Sequence, residues 1–181
     1  MNIENWGDLY KELAQRITAE PNLANWVDLW HNQINFLTEE HPFPVPAVFI
    51  AFRIRDVEDT GENVQQANLQ IDFYYFFETF ADTFEGSFNQ VDALDYLNGL
   101  TSLHRLFHGS EGNTFSNMQR VGMAPVDTGS AGNLYRISFV CNVVDISAQK
   151  QMDSAVPGDI ALSQGTKPDS NEPPLFEIDL N

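Results

Sequence analysis

The stretch Ala67-Asn68-Leu69-Gln70-Ile71-Asp72-Phe73-Tyr74-Tyr75-Phe76-Phe77 decides the fold. Leu69, Ile71, Phe73 and Tyr75 fall at one parity, and Gln70, Asp72, Tyr74 and Phe76 at the other, which is the period-two alternation of a strand. The strand reading extends over residues 67–80. Aromatic rings occupy both parities, so both faces of this strand need cover. Just upstream, Ala47-Val48-Phe49-Ile50-Ala51-Phe52-Arg53-Ile54 reads as a second strand. The polar, acidic residues 56–63 between the two read as a loop, which makes the pair an antiparallel hairpin. Before it stands His41-Pro42-Phe43-Pro44-Val45-Pro46, a segment no helix tolerates, because proline lacks an amide proton and fixes φ.

Working outward, residues 89–108 read as an amphipathic helix with Val91, Leu94, Leu97, Leu100, Leu103, Leu106 and Phe107 on its buried side. Gly109 stands where a helix-ending glycine belongs. Two further strands, 114–127 and 133–145, are joined at 128–132. The second alternates Leu134, Arg136, Ser138 and Val140 against Tyr135, Ile137, Phe139 and Cys141. At the start of the chain, Trp6, Leu9, Tyr10, Leu13 and Ile17 recur at helical spacing, with Asn5 or Asn2 as cap and Pro21 as stop. Residues 25–37 fit a helix through Trp26, Trp30 and Ile34, or a twisted strand; an extended start followed by a turn or short helix is the expectation. Elements grouped this way, without steady βα alternation, predict an α+β fold: an antiparallel sheet of about four strands with helices packed on one face.

The predicted domain covers residues 1–147. Residues 148–181 read as an acidic tail or arm containing Pro157, Gly158, Gly165, Pro168, Pro173 and Pro174, too poor in apolar groups before Leu175 to offset its ordering entropy. Its end turns apolar again in alternation, with Leu175 on one side and Phe176, Ile178 and Leu180 on the other. That pattern suits a strand lacking a partner of its own, which adds to a sheet edge elsewhere.

The 181 residues carry 26 acidic and 9 basic side chains, for a net charge of −17. Such a surplus argues against phosphate-backbone binding and against docking on anionic lipid. With 14 Phe, 5 Tyr and 3 Trp the chain can build a core, which excludes general disorder. No apolar run reaches a membrane span, and the first residues lack the order of a signal peptide. The single cysteine excludes an internal disulfide framework and a multi-cysteine zinc site.

Few side chains offer chemistry. His104 and His108 stand four apart on the predicted helix, but Arg105 occupies the place where a zinc hydrolase carries its glutamate base. Asp56-Val57-Glu58-Asp59-Thr60-Gly61-Glu62 has the alternating oxygens of a calcium loop, yet the twelfth position is Ala67 where a bidentate Glu belongs. Gly109-Ser110-Glu111-Gly112-Asn113 follows a helix, whereas a phosphate cradle precedes one. Cys141 shares its parity with Tyr135, Ile137 and Phe139 and reads as core, not as nucleophile. The expectation is therefore a protein that is not an enzyme, with no catalytic, cofactor-binding or metal-ligating residues. Two alternatives are a metal-dependent hydrolase using His104 and His108 with acids of the 56–62 loop, and a small-molecule or peptide binding module using the aromatic 73–77 strand.

An N-terminal helix, a Pro-rich entry to a strand (Phe43-Pro44-Val45-Pro46-Ala47-Val48-Phe49-Ile50), a long aromatic strand, a helix ending Leu103-His104-Arg105-Leu106-Phe107-His108 and a closing hairpin together resemble the tail terminator or tail-completion proteins of phages. The likeness is to the small versions carried by Bacteroidetes prophages and contractile injection systems, and it covers about residues 1–147. It implies a non-enzymatic structural protein that forms a homo-oligomeric, hexameric ring capping a tail tube. The implied partners are tube, and sheath or head-connector, proteins, with no membrane and no sequence-specific nucleic acid. Assembly would take place in the cytoplasm, after which the ring is part of a virion or injection particle. An aromatic sheet face that needs a partner fits a ring, which makes Tyr74, Phe76, Leu175, Phe176 and Ile178 the candidate interface residues.

Overall fold

A computed structural model describes residues 2–36, 43–78, 81–127, 132–150, 162–164 and 176–178. The chain divides into two compact units, Met1–Gln149 and Lys150–Asn181. In the first, β1 (Asn2–Ile3), α1 (Trp6–Ala19), β2 (Trp26–Leu29) and a 3₁₀ turn (Gln33–Phe36) precede the hairpin of β3 (Ala47–Gly61) and β4 (Val64–Phe77). The single-turn α2 (Gln90–Leu94), α3 (Tyr96–Phe107), β5 (Ser116–Pro125) and β6 (Asn133–Asp145) follow.

The sheet corrects the expected architecture. It has six strands in the order β1-β6-β4-β3-β2, with β5 also on β6, and it curls as a half-barrel that makes up most of the unit. It is mixed, because β1 runs parallel to β6 (Asn2↔Val144) and β2 parallel to β3 (Trp26↔Ala47). An antiparallel four-strand sheet with helices on one face is therefore not the fold. The two added strands are two and four residues long, too short to show a period; β2 precedes its parallel partner β3 by way of the 3₁₀ turn, whereas β1 pairs with β6 from the far end of the unit. For residues 25–37, an extended start followed by a short helix is what forms.

The hairpin is also longer than expected. Residues 56–61 are strand, not loop: Asp56 pairs with Asn68 and the ladder runs to Gly61↔Val64. The register shifts between Ile54 and Asp56 and again between Asp59 and Gly61, leaving Arg55 and Thr60 as the extra residues of two bulges. Only Glu62 and Asn63 turn the chain, Asn63 at a φ of 59° that asparagine tolerates better than most residues. There is accordingly no calcium-type loop at 56–62.

Each parity of β4 enters its own core. Ala67, Leu69, Ile71, Phe73 and Tyr75 are buried with Leu9, Leu13 and Ile17 of α1 and with Leu100, Leu103 and Phe107 of α3. Phe73 stacks on Phe107 at 4.4 Å and meets Phe139 edge-on at 5.6 Å. Gly99 lets α3 approach closely: a Cβ there would overlap the Tyr75 ring. Burial, and then the negative charge of Asp95, push the Tyr75 phenol up to about 12. Asn5 caps α1 by accepting from the Gly7 N–H at 2.7 Å.

On the other parity, Phe76 packs with Ile34, Ala47, Phe49 and Leu134, and Phe43 leans on Phe49 and Phe76. Trp30 stacks on Tyr74 with centroids 4.1 Å apart and planes within 7°. Gly132, at a φ of +80°, closes this side, where a Cβ would stand 2.6 Å from a Phe76 ring carbon. Trp30, Ile34, Phe43 and Val45 of the same chain therefore cover the second aromatic face.

The predicted helix over 89–108 breaks at Asp95 into α2 and α3. The break resets the phase, so the buried stripe of α3 is Tyr96, Gly99, Leu100, Leu103 and Phe107. Val91 and Leu97, expected inside, are exposed.

In the second unit, β7 (Leu162–Gln164) pairs antiparallel with β8 (Phe176–Ile178), through Leu162↔Ile178 and Gln164↔Phe176. The terminal strand thus has a partner within its own unit, contrary to the unpaired arm read from sequence. Most of the 148–172 stretch, the 128–131 connection and Leu175 lie outside the described residues.

Candidate functional site

After β4 the chain enters a polar-looking segment whose polar groups are turned inward on each other. Asn89 Oδ1 accepts from the Asp82 N–H and the Ser87 hydroxyl, and the Ser87 N–H donates to the Phe84 carbonyl. Gln90 Nε2 donates to the Thr83 carbonyl at 3.3 Å and to Glu85 at 3.2 Å. With its polar atoms engaged, the segment presents its apolar ones: Phe84 is 63% exposed, Phe88 97% and Val91 85%. Leu97, on the first turn of α3, is 40% exposed. Exposed Asp82, Glu85, Asp92 and Asp95 rim this ridge with negative charge.

A different surface lies at the opposite end of α3. His104 and His108 stand ring to ring at 4.7 Å. His108 Nδ1 accepts the Arg120 N–H at 3.1 Å. Around it, the Gly109 N–H donates to the Met118 carbonyl and the Met118 N–H to the Ser110 carbonyl, so residues 108–110 line the free edge of β5 as far as Arg120. Beyond that point Val121 and Met123 are exposed. Val121 is the extra residue where the β5–β6 register shifts between Arg120 and Gly122. Arg105, three residues before His108, and Arg120 are exposed beside them. Burial, followed by the charges of Arg120 and His108, lowers the pKa of His104, whose Nδ1 is buried without a hydrogen-bond partner.

The loop between α3 and β5 is tied to α1 through Glu12. Its carboxylate accepts from the Asn113 N–H at 3.0 Å and from the Thr114 N–H and hydroxyl at 3.1 and 2.8 Å, and pairs with Arg16 at 3.0 Å. Burial alone would raise the Glu12 pKa; the bonds from Thr114 and Asn113, with Arg16, bring it below its usual value. Gly109-Ser110-Glu111-Gly112-Asn113 therefore serves as a strap around a carboxylate.

The sequence candidates are scattered. Phe76 is 1% exposed and Tyr74 lies under Trp30, while Phe176 and Ile178 belong to β8 in the second unit. Cys141 is buried in the first core, and burial pushes its thiol up to about 12. His104 and His108 adjoin Arg120, and the acids of 56–59 lie along β3. Among the described residues no group of three or more His, Cys, Asp or Glu side chains could hold a metal ion. A cleft of about 380 Å³ opens at the hairpin tip between Asp59, Gly61, Asn63, Gln65, Asp145, Ser147 and Ala148. Both of its carboxylates are engaged, Asp59 by Gln65 Nε2 and Asp145 by the Ser147 N–H.

Sequence reasoning passed over the ridge. Its signal was present in Phe84 and Phe88, two large rings set among Asp82, Gly86, Ser87 and Asn89, where turn chemistry leaves a ring nothing to pack on. No protein-family model matches the chain, and no curated protein matches it in sequence.

Proposed function

We propose that this chain is a structural assembly subunit, which joins further copies in a ring that caps a tail-like tube. The observation that supports this most is the ridge. Phe84, Phe88 and Val91 are held out of the chain's own core by a hydrogen-bonded loop. Each such side chain gains roughly 1.5–3 kcal/mol when another surface covers it. Large apolar side chains exposed close together in the chain among acidic ones suit a protein–protein contact. The succession of α1, the aromatic β3–β4 hairpin, α3 and the β5–β6 hairpin follows the order on which the resemblance to tail terminators rests. A net charge of −17 also keeps such a ring from adhering to DNA threaded through it.

The test is assembly with purified tube subunits, followed by electron microscopy and co-sedimentation. Tubes of limited length carrying a terminal ring are the expected result. Unlimited tubes, with the protein left in the supernatant, overturn the proposal.

A further inference from the structure

Resting on that reading, we infer that the ridge at the start of α3 docks on the basic strip at the end of α3 in a second copy of the chain, head to tail. The ridge consists of Phe84, Phe88 and Val91 within a rim of Asp82, Glu85, Asp92 and Asp95. The strip consists of Val121 and Met123, both about half exposed, beside Arg105 and Arg120. One surface is apolar with a negative border, the other apolar with a positive one. Bases are scarce, 9 against 26 acids, and two of them, Arg105 and Arg120, are exposed where α3 ends against β5. Ridge against ridge would bring four carboxylates face to face with four more, and like charges opposed across an interface weaken it.

A single molecule cannot satisfy its own ridge. Beside α3 both surfaces stay open to water, so neither covers the other. Leu100, Leu103 and Phe107 bind that helix into the first core, so its ends cannot fold toward each other. The ridge must therefore meet the strip of another copy, and that copy's ridge is left free for a third. Contacts between two different patches repeat around an axis, and they close as a ring when the rotation allows. The end of β5 suits this role. Residues 108–110 cover its edge only up to Arg120, and the register shift there turns Val121 outward.

The experiment is sedimentation velocity on the full chain, on a ridge variant (Phe88→Asp with Val91→Asp) and on a strip variant (Arg105→Glu with Arg120→Glu). All four side chains are exposed, and the bond to His108 uses the Arg120 backbone, so both variants should keep the wild-type circular dichroism and unfolding transition. Wild type should form species larger than a dimer that weaken as salt rises. Each variant alone should be monomeric. An equimolar mixture of the two should give a heterodimer and nothing larger, because it retains one intact ridge and one intact strip. Placing Glu85→Arg and Asp92→Arg in the strip variant should restore assembly. A strip variant that associates as wild type does, or a mixture that stays monomeric, overturns the head-to-tail contact while leaving tube capping to stand on its own assay. A wild-type chain that never associates overturns the contact as well, and if it also ignores tube protein the proposed function falls with it.

Discussion

Two apolar surfaces of this molecule contrast sharply. The Tyr74–Phe76 side of β4 is among the most aromatic parts of the chain, yet it is closed by Trp30, Ile34 and Phe43 from the same unit. Residues 84–91 are mixed and turn-rich in composition, yet they keep Phe88 almost wholly in water. What separates them is the backbone beneath. A strand in mid-sheet lets neighbouring segments fold across it, whereas a loop whose polar groups are already bonded to one another holds its rings away from everything else. Aromatic density marks where a core forms; exposure depends on where the remaining chain can reach.

The largest effect should come from opening the covered surface. Phe76→Ala should cost about 3–5 kcal/mol in denaturant unfolding, as for other fully buried phenylalanines, without altering particle size below the transition. A smaller particle at full stability would break the contrast by placing Phe76 in a contact between copies. Next in size, Glu12→Gln removes the charged acceptor of the strap and should cost about 2 kcal/mol near neutral pH. Because the folded pKa of Glu12 is lowered, that contribution is complete above its unfolded value of about 4.3. It fades as pH falls through the lower folded value, so wild type and variant should converge in acid. A gap that persists there would assign the loss to packing and not to charge. The smallest effect on stability belongs to the ridge: Phe88→Ser should change unfolding by no more than about 0.5 kcal/mol. The same variant should show a clear loss of self-association by light scattering, which sharpens the contrast from the other side.

The long alternating strands were legible because burial on both sides writes a period of two into them. The span predicted for 133–145 is that of β6, and the 67–77 alternation is that of β4. The parallel strands were not legible, since Asn2–Ile3 and Trp26–Leu29 are short and their pairing with β6 and β3 leaves no local pattern. Charge concealed the second half of β3: Asp56, Glu58 and Asp59 read as loop, although both faces of that stretch are open to water and strand propensity there demands little hydrophobicity. Val91 and Leu97 were misplaced through one assumption, that 89–108 is a single helix. A continuous stripe through Val91, Leu97 and Leu103 requires unbroken rotation, and the break at Asp95 removes it. The interface candidates drawn from aromatic density pointed at Tyr74 and Phe76 for the same kind of reason, since a linear pattern does not record which segment returns to cover a face.

The outer half of β3 has a further consequence. Beyond Ile50, where β2 stops, this strand runs eleven residues, Ala51 to Gly61, with no neighbour on its outer side among the described residues. Two bulges interrupt the regular spacing of its amide groups, and charges of both signs stud the exposed length. Such a border is a poor template for amyloid-like stacking. On this side the sheet is therefore closed to growth by strand addition even though its last row of amides stays open.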